Sequence, residues 1–106
     1  MDAKLENAVA RASIPIQSDA FRPSDSTSLC WLSGAGFLIN SRGTLIAIDP
    51  TISYQPGSTV LSEIGLPLLV AHPIEVTEIH RLDFVLYTHT DNDHLAPVTA
   101  AGLVRT

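Results

Sequence analysis

A chain of 106 residues is long enough for one domain with a modest core and no more. Its hydrophobic share of 45% and charged share of 16% exclude a disordered chain. Six Lys and Arg against eleven Asp and Glu give a net charge of −5 with no basic cluster to offset it. That argues against a nucleic-acid or anionic-membrane surface and suits a site that holds cations.

The opening residues, Met1-Asp2-Ala3-Lys4-Leu5, carry no positive region leading into an apolar stretch, so no signal peptide is expected. No run of about 18 apolar residues is present, so no membrane span is expected, and the default is a soluble cytoplasmic protein. Leu5, Val9 and Ala10, with Ala8 and Ala12, predict a short helix over residues 2–12. Residues 13–28 are rich in Ser, Asp and Pro, have no period, and read as a loop. Ser28-Leu29-Cys30-Trp31-Leu32 then reads as a strand, with Trp31 in the core. Cys30 is the single cysteine, which excludes an intramolecular disulfide, and it reads as a small buried hydrophobe. Ser33-Gly34-Ala35-Gly36 is a turn and Phe37-Leu38-Ile39-Asn40 a second strand. Ser41-Arg42-Gly43 is a hairpin turn with Gly43 at positive φ. Thr44-Leu45-Ile46-Ala47-Ile48 is a third strand ending at Asp49-Pro50, which completes an antiparallel meander.

Residues 51–57 read as a loop. Ser58 is placed to cap a short helix through Ile64, with Gly65 as its stop. The stretch from Pro67 to Arg81 reads as an extended connection, with His72 and His80 left on the surface. Leu82 to Thr88 predicts a strand whose apolar run, Phe84-Val85-Leu86-Tyr87, is buried. Pro97 suits the first turn of a helix that runs to Leu103.

Between that strand and that helix lies the densest chemistry of the chain. His89, Asp91, Asp93 and His94 fall within six residues. Imidazole nitrogen and carboxylate oxygen are the ligands of Zn, Mn and Fe sites. On an extended backbone His89, Asp91 and Asp93 share one side. A loop curling into a helix can instead turn His89 and Asp91 to one point and Asp93 and His94 to a neighbouring one, as two-metal hydrolases require. Two plainer readings compete. The cluster is a solvated polar loop, or Asp93 is the N-cap of the following helix.

Three segments together resemble the metallo-β-lactamase-fold hydrolases, close to the ascorbate-6-phosphate lactonase-like branch. They are Trp31-Leu32-Ser33-Gly34-Ala35-Gly36-Phe37-Leu38-Ile39, then Thr44-Leu45-Ile46-Ala47-Ile48-Asp49-Pro50, then Leu82 through His94. The third carries the metal motif written HxHxDH, here HxDxDH with Asp91 in place of the second histidine. The resemblance covers residues 28–106 and divides the chain into an N-terminal helix and loop, 1–27, and a partial domain, 28–106. It implies an α/β fold, the N-terminal half of a four-layer αβ/βα sandwich, whose mixed sheet opens with the antiparallel meander. It implies one or two divalent metal ions, with His89 and Asp91 on one and Asp93 and His94 on the second. Asp93 would be the catalytic residue, holding or orienting the metal that carries the water nucleophile. Asp49 would lie behind the ligands and brace the metal loop, and Gly34 and Gly36 would let the backbone turn closely beneath it. The oxygen of Asp91 hardens the site and shifts preference from Zn towards Mn or Fe, and a mononuclear site stays open.

The family completes its site with ligands from a second half-domain, and after His94 this chain has no His, Asp, Glu or Cys. The implied function is therefore metal-dependent hydrolysis of an ester, lactone or phosphodiester by a longer protein, with this chain inactive alone. The alternative is a non-catalytic metal-binding module, or a half-domain subunit that pairs with a partner. A decayed fragment without function is a third reading. The sheet face that the second half covers in the family would be open and invites self-association.

Overall fold

The computed structural model describes residues 13–53 and 71–105. The predicted helices at 2–12 and at Ser58 to Ile64, with Gly65, lie outside the described residues. Three antiparallel strands form the meander: β1 (Thr27–Ser33), β2 (Gly36–Ser41) and β3 (Thr44–Ile48). A fourth strand, β4 (Phe84–Leu86), pairs with β3 in parallel, giving a mixed sheet of order β1-β2-β3-β4. A parallel partner demands a crossover, and the chain supplies it between Asp49 and Asp83. Helix α1 (Pro97–Leu103) follows, with the proline in its first turn as its missing N–H permits. No helix among the described residues is long and apolar enough to cross a membrane.

Turn chemistry sets the register of the meander. Ser41 pairs with Thr44, which leaves a two-residue loop in which Arg42 and Gly43 both have positive φ, 55° and 102°. Such turns match the right-handed twist of the flanking strands. The buried Asn40 amide donates to the carbonyls of Ala20 and Arg22, and its Oδ1 accepts the Gly43 N–H. This one side chain fixes the hairpin and ties the N-terminal segment to the sheet. The loop expected over residues 13–28 contains a 3₁₀ turn, Ser18–Phe21, whose Ala20 and Phe21 pack on the core.

The two faces of the sheet differ. One bears Leu38, Ala47 and Leu45 and is buried under Ile52, Ile74, Ile79 and Leu103. The other carries two cross-strand rows, Trp31-Phe37-Ile48-Leu86 and Leu29-Ile39-Ile46-Phe84. Phe84 is 55% exposed and Leu86 51%, so the strand expected to be buried is open on this face. It is also only three residues long. Trp31, expected in the core, is 57% exposed and donates its indole N–H to the Gly34 carbonyl. Apolar composition made these residues look internal, but alternation puts them on the face that no described element covers. Cys30, one residue before Trp31, packs against the core but is half-buried, less enclosed than expected; burial first, then the Asp19 charge, raises its thiol above the ordinary value.

The connection to β4 is not wholly extended. A 3₁₀ turn, Val76–Glu78, interrupts it, and the Glu78 carboxylate accepts the Glu75 N–H. Val76 lies against Gly102 of α1, where an added Cβ would come within 2.6 Å of a Val76 methyl carbon. His80 is exposed as expected. His72 is half-buried and shares a 2.8 Å hydrogen bond with the Ser33 hydroxyl, so its place on the surface is corrected.

A latch holds β4 to the hairpin. Asp83 donates its N–H to the Leu45 carbonyl and accepts the Leu45 N–H on its carboxylate. Arg81 binds both oxygens of the same carboxylate and reaches the Gly43 carbonyl. The Leu45 N–H, aided by the Arg81 charge and opposed by desolvation, holds the Asp83 carboxyl below its ordinary value. Because the folded value is depressed, the stability Asp83 contributes is complete above the unfolded carboxyl value of about 3.9. It is lost as pH falls through the folded value. Urea unfolding should show Asp83→Asn less stable than wild type at neutral pH, with the gap closing only on acidification below the unfolded value. A gap independent of pH would remove this role.

Candidate metal centre

Asp49 ends β3 in a left-handed backbone conformation, φ 45°, a region Asp enters more readily than most residues. Its N–H bonds the Leu86 carbonyl, which extends the parallel ladder by one step. Its side chain is only 2% exposed and turns towards the end of β4. There Oδ1 accepts the Thr88 N–H at 2.8 Å, while Oδ2 accepts the Thr88 hydroxyl at 2.6 Å and His94 Nδ1 at 2.7 Å. Gly36 makes this approach feasible, since a Cβ there would sit 2.8 Å from the Asp49 carbonyl oxygen.

Beyond Thr88 the chain turns back on itself. The Asp91 carbonyl accepts the N–H groups of both His94 and Leu95. That turn folds His94 onto His89, with ring centroids 3.8 Å apart at 45°. His89, Asp93 and His94 each present one ligand atom, and these lie within 4.8 Å of one another. From such spacing, small side-chain rotations reach a common ion with bonds of about 2.0–2.2 Å. The mixed nitrogen and oxygen donor set fits a divalent cation. The side is open, because the His89 and Asp93 side chains are 46% and 61% exposed while His94 is 20% exposed.

The four sequence candidates are thus not equivalent. Asp91 lies outside the three-way convergence, although its Oδ2 is 3.3 Å from His89 Nε2. His94 Nε2 is 3.7 Å from Asp93 Oδ2. Asp93 is not the cap of α1. Ala96 occupies that position without a side-chain hydrogen bond, and His94 and Leu95 separate it from Asp93. Helix α1 is instead fastened by Thr99, whose buried hydroxyl oxygen accepts the N–H groups of Ile52 and Ser53 just after Asp49. Sequence reasoning passed over Thr88. A lone hydroxyl beside a histidine carries no signal of the carboxylate 39 residues away that it bonds.

Burial opposes ionisation of Asp49, but the hydrogen bonds from His94 and from Thr88, with the His94 charge, prevail and hold its carboxyl below the ordinary value. The bond to Asp49 raises the His94 imidazole above its ordinary value; desolvation opposes this, and the charges of Asp93, Asp49 and Asp91 add to it.

No family model matches the chain, and no solved structure does. Over 67 residues, 63% of this chain, the sequence is 36% identical to a protein of Caldivirga maquilingensis described as a UPF0173 metal-dependent hydrolase. The matched span is 23% of that protein's length, so most of the relative has no counterpart here. The observed mixed sheet with few helices is an α/β arrangement compatible with part of a metallo-β-lactamase fold. His89, Asp93 and His94 are a group that could hold a metal ion.

The Asp49–His94 pair sets a pH window for the metal-free chain. The Asp49 value is depressed, so its contribution is complete above about 3.9 and is lost as pH falls through the folded value. The His94 value is raised, so its contribution is complete below about 6.5 and is lost as pH rises through the folded value. In chelator, the stability difference between wild type and Asp49→Asn should peak between those limits and shrink on either side. Asp49→Ala, which leaves the Thr88 N–H without its acceptor, should cost about 1–3 kcal/mol or more in urea unfolding.

Proposed function

We propose that this chain carries a metal-binding part of a metal-dependent hydrolase acting on an ester, lactone or phosphodiester, in the manner of the ascorbate-6-phosphate lactonase-like branch. The observation that carries the reading is the convergence of His89, Asp93 and His94 in front of a buried carboxylate that bonds one of the ligands. The similarity to a protein described as a metal-dependent hydrolase supports it.

His89, Asp93 and His94 would hold a first divalent ion, Zn or Mn, with Fe a further candidate. Asp91 is placed beside His89 to complete that set or to begin a second position. When bound, such an ion lowers the pKa of water and polarises a carbonyl or phosphoryl oxygen. The chain's own residues do the rest. Asp49 fixes the ring of His94 by accepting its Nδ1–H, which leaves Nε2 as the ligand atom. Asp93, exposed at the mouth, orients the attacking water as the catalytic carboxylate. Neutral or anionic substrate can approach from the open side, where the ligands themselves are exposed.

A second reading is favoured by the sheet face bearing Leu29, Trp31, Phe84 and Leu86, each more than half exposed. On this reading the chain binds metal without turning over substrate and self-associates through that face. Cytoplasmic location accords with either reading.

The 106-residue chain should bind Zn2+ or Mn2+ in equilibrium dialysis, and His94→Ala should weaken binding by at least about tenfold, the lower bound expected from losing an outer partner alone. Hydrolysis of a p-nitrophenyl ester, a lactone or bis-p-nitrophenyl phosphate, by this chain or by any longer chain that contains it, should stop in chelator and return with metal. Activity that survives both chelation and His94→Ala would end the proposal. Metal binding without turnover, with sedimentation as a dimer that Trp31→Asp dissociates, would select the second reading.

A further inference from the structure

Thr88 stands at the centre of the hydrogen-bond cluster. Its Oγ1 lies 2.6 Å from Asp49 Oδ2, 3.1 Å from His89 Nδ1 and 3.2 Å from His94 Nδ1. Proton accounting assigns the roles of Asp49, Thr88 and His94, and through them the form His89 must take to bond Thr88. An ionised carboxylate only accepts, so the 2.6 Å contact requires the single hydroxyl proton of Thr88 to point at Asp49. His94 Nδ1 is closer to Asp49 Oδ2, at 2.7 Å, than to Thr88, so its proton also goes to the carboxylate. With its proton committed, the Thr88 oxygen has only lone pairs to offer His89. The 3.1 Å contact is then a hydrogen bond only if His89 carries its proton on Nδ1.

We propose that Thr88 is a positioning residue that holds His89 as the Nδ1–H tautomer, so that His89 and His94 both direct an unprotonated Nε2 at one cation. The two histidines reach the same state by different routes, His94 directly from Asp49 and His89 through the Thr88 hydroxyl that Asp49 orients. Each Nε2 then faces a carboxylate oxygen, Asp91 Oδ2 at 3.3 Å from His89 and Asp93 Oδ2 at 3.7 Å from His94. Lone pairs that face carboxylate oxygens repel one another, and a cation among them reverses the sign of the interaction. Preorganisation of this kind raises metal affinity because the wrong tautomer would first have to exchange. The inference rests on the metal-site reading above, but its core, the tautomer of His89, is a property of the metal-free chain.

Residue 88 is exposed, so the near-isosteric Thr88→Val removes the hydroxyl without repacking the core. Thr88→Ser keeps the hydroxyl. In chelator, at alkaline pH, 15N–1H correlation spectra of the 106-residue chain should show His89 and His94 both protonated on Nδ1. In Thr88→Val, His89 alone should shift to the Nε2–H form while His94 stays as it is. Thr88→Ser should restore His89. Zn2+ titration should show affinity about 10–100-fold weaker in Thr88→Val and close to wild type in Thr88→Ser. A wild-type His89 protonated on Nε2, or a Thr88→Val chain that keeps Nδ1–H on His89, overturns the proposal. Should Thr88→Val not fold, the wild-type and Thr88→Ser spectra decide alone, and Nε2–H on His89 in either is fatal. A chain with the expected tautomers that binds no Zn2+ or Mn2+ would leave the Thr88 assignment standing and remove the metal-site reading instead.

Discussion

The structure depends on one buried carboxylate. Asp49 sits where an antiparallel hairpin stops and a parallel strand must be accepted alongside it. Its backbone N–H closes the last rung with Leu86, and its side chain gathers the first backbone N–H beyond that strand together with a hydroxyl and an imidazole. A carboxylate this buried is costly unless its lone pairs are filled, and three short donor contacts fill them. The left-handed backbone at this residue adds a strain of about 1–3 kcal/mol that the surroundings must over-determine. Strain and burial concentrated on one residue, beside a cluster of potential ligands, are the marks of a site rather than of a turn.

The rest of the local architecture serves that contact. Gly36 lacks a side chain where one would strike the Asp49 carbonyl. Thr99 anchors α1 to the two residues that follow Thr51, so the helix after the His/Asp loop is tied to the loop after β3. The Arg81–Asp83 latch registers the start of β4 against β3, and Asp49 registers its end. A four-residue span of sheet is thereby clamped at both ends, and the loop that leaves it starts from a defined position.

Much of this was legible in the sequence, and the gaps have physical causes. The meander could be read because its strands alternate and its turns carry the glycine that positive φ requires; β3 and α1 fall on the residues expected. The crowding of His89, Asp91, Asp93 and His94 marked a candidate site, although a run of this kind also reads as a solvated polar loop. What failed was the environment. Phe84, Leu86 and Trp31 were assigned to the interior on hydrophobicity, yet a strand has two faces and composition cannot say which is covered. Asp93 was weighed as a helix cap because spacing alone left room for one; the intervening turn moved the cap to Ala96. Thr88 went unread since a hydroxyl gains meaning only from what it touches, and Asp49 is distant in the chain.

The carboxylate of Asp91 has surroundings in this geometry that an imidazole would not share. A second imidazole at that position would need its own partner to fix its tautomer, since the Thr88 oxygen already lies beside Asp49, His89 and His94. A carboxylate needs no such partner, because it has no tautomer to choose. Asp91 can therefore contribute charge from an exposed turn, with its side chain 79% exposed, without drawing on the buried network. The oxygen donors Asp91 and Asp93 thus stand more open, at 79% and 61%, than the imidazoles of His89 and His94, at 46% and 20%.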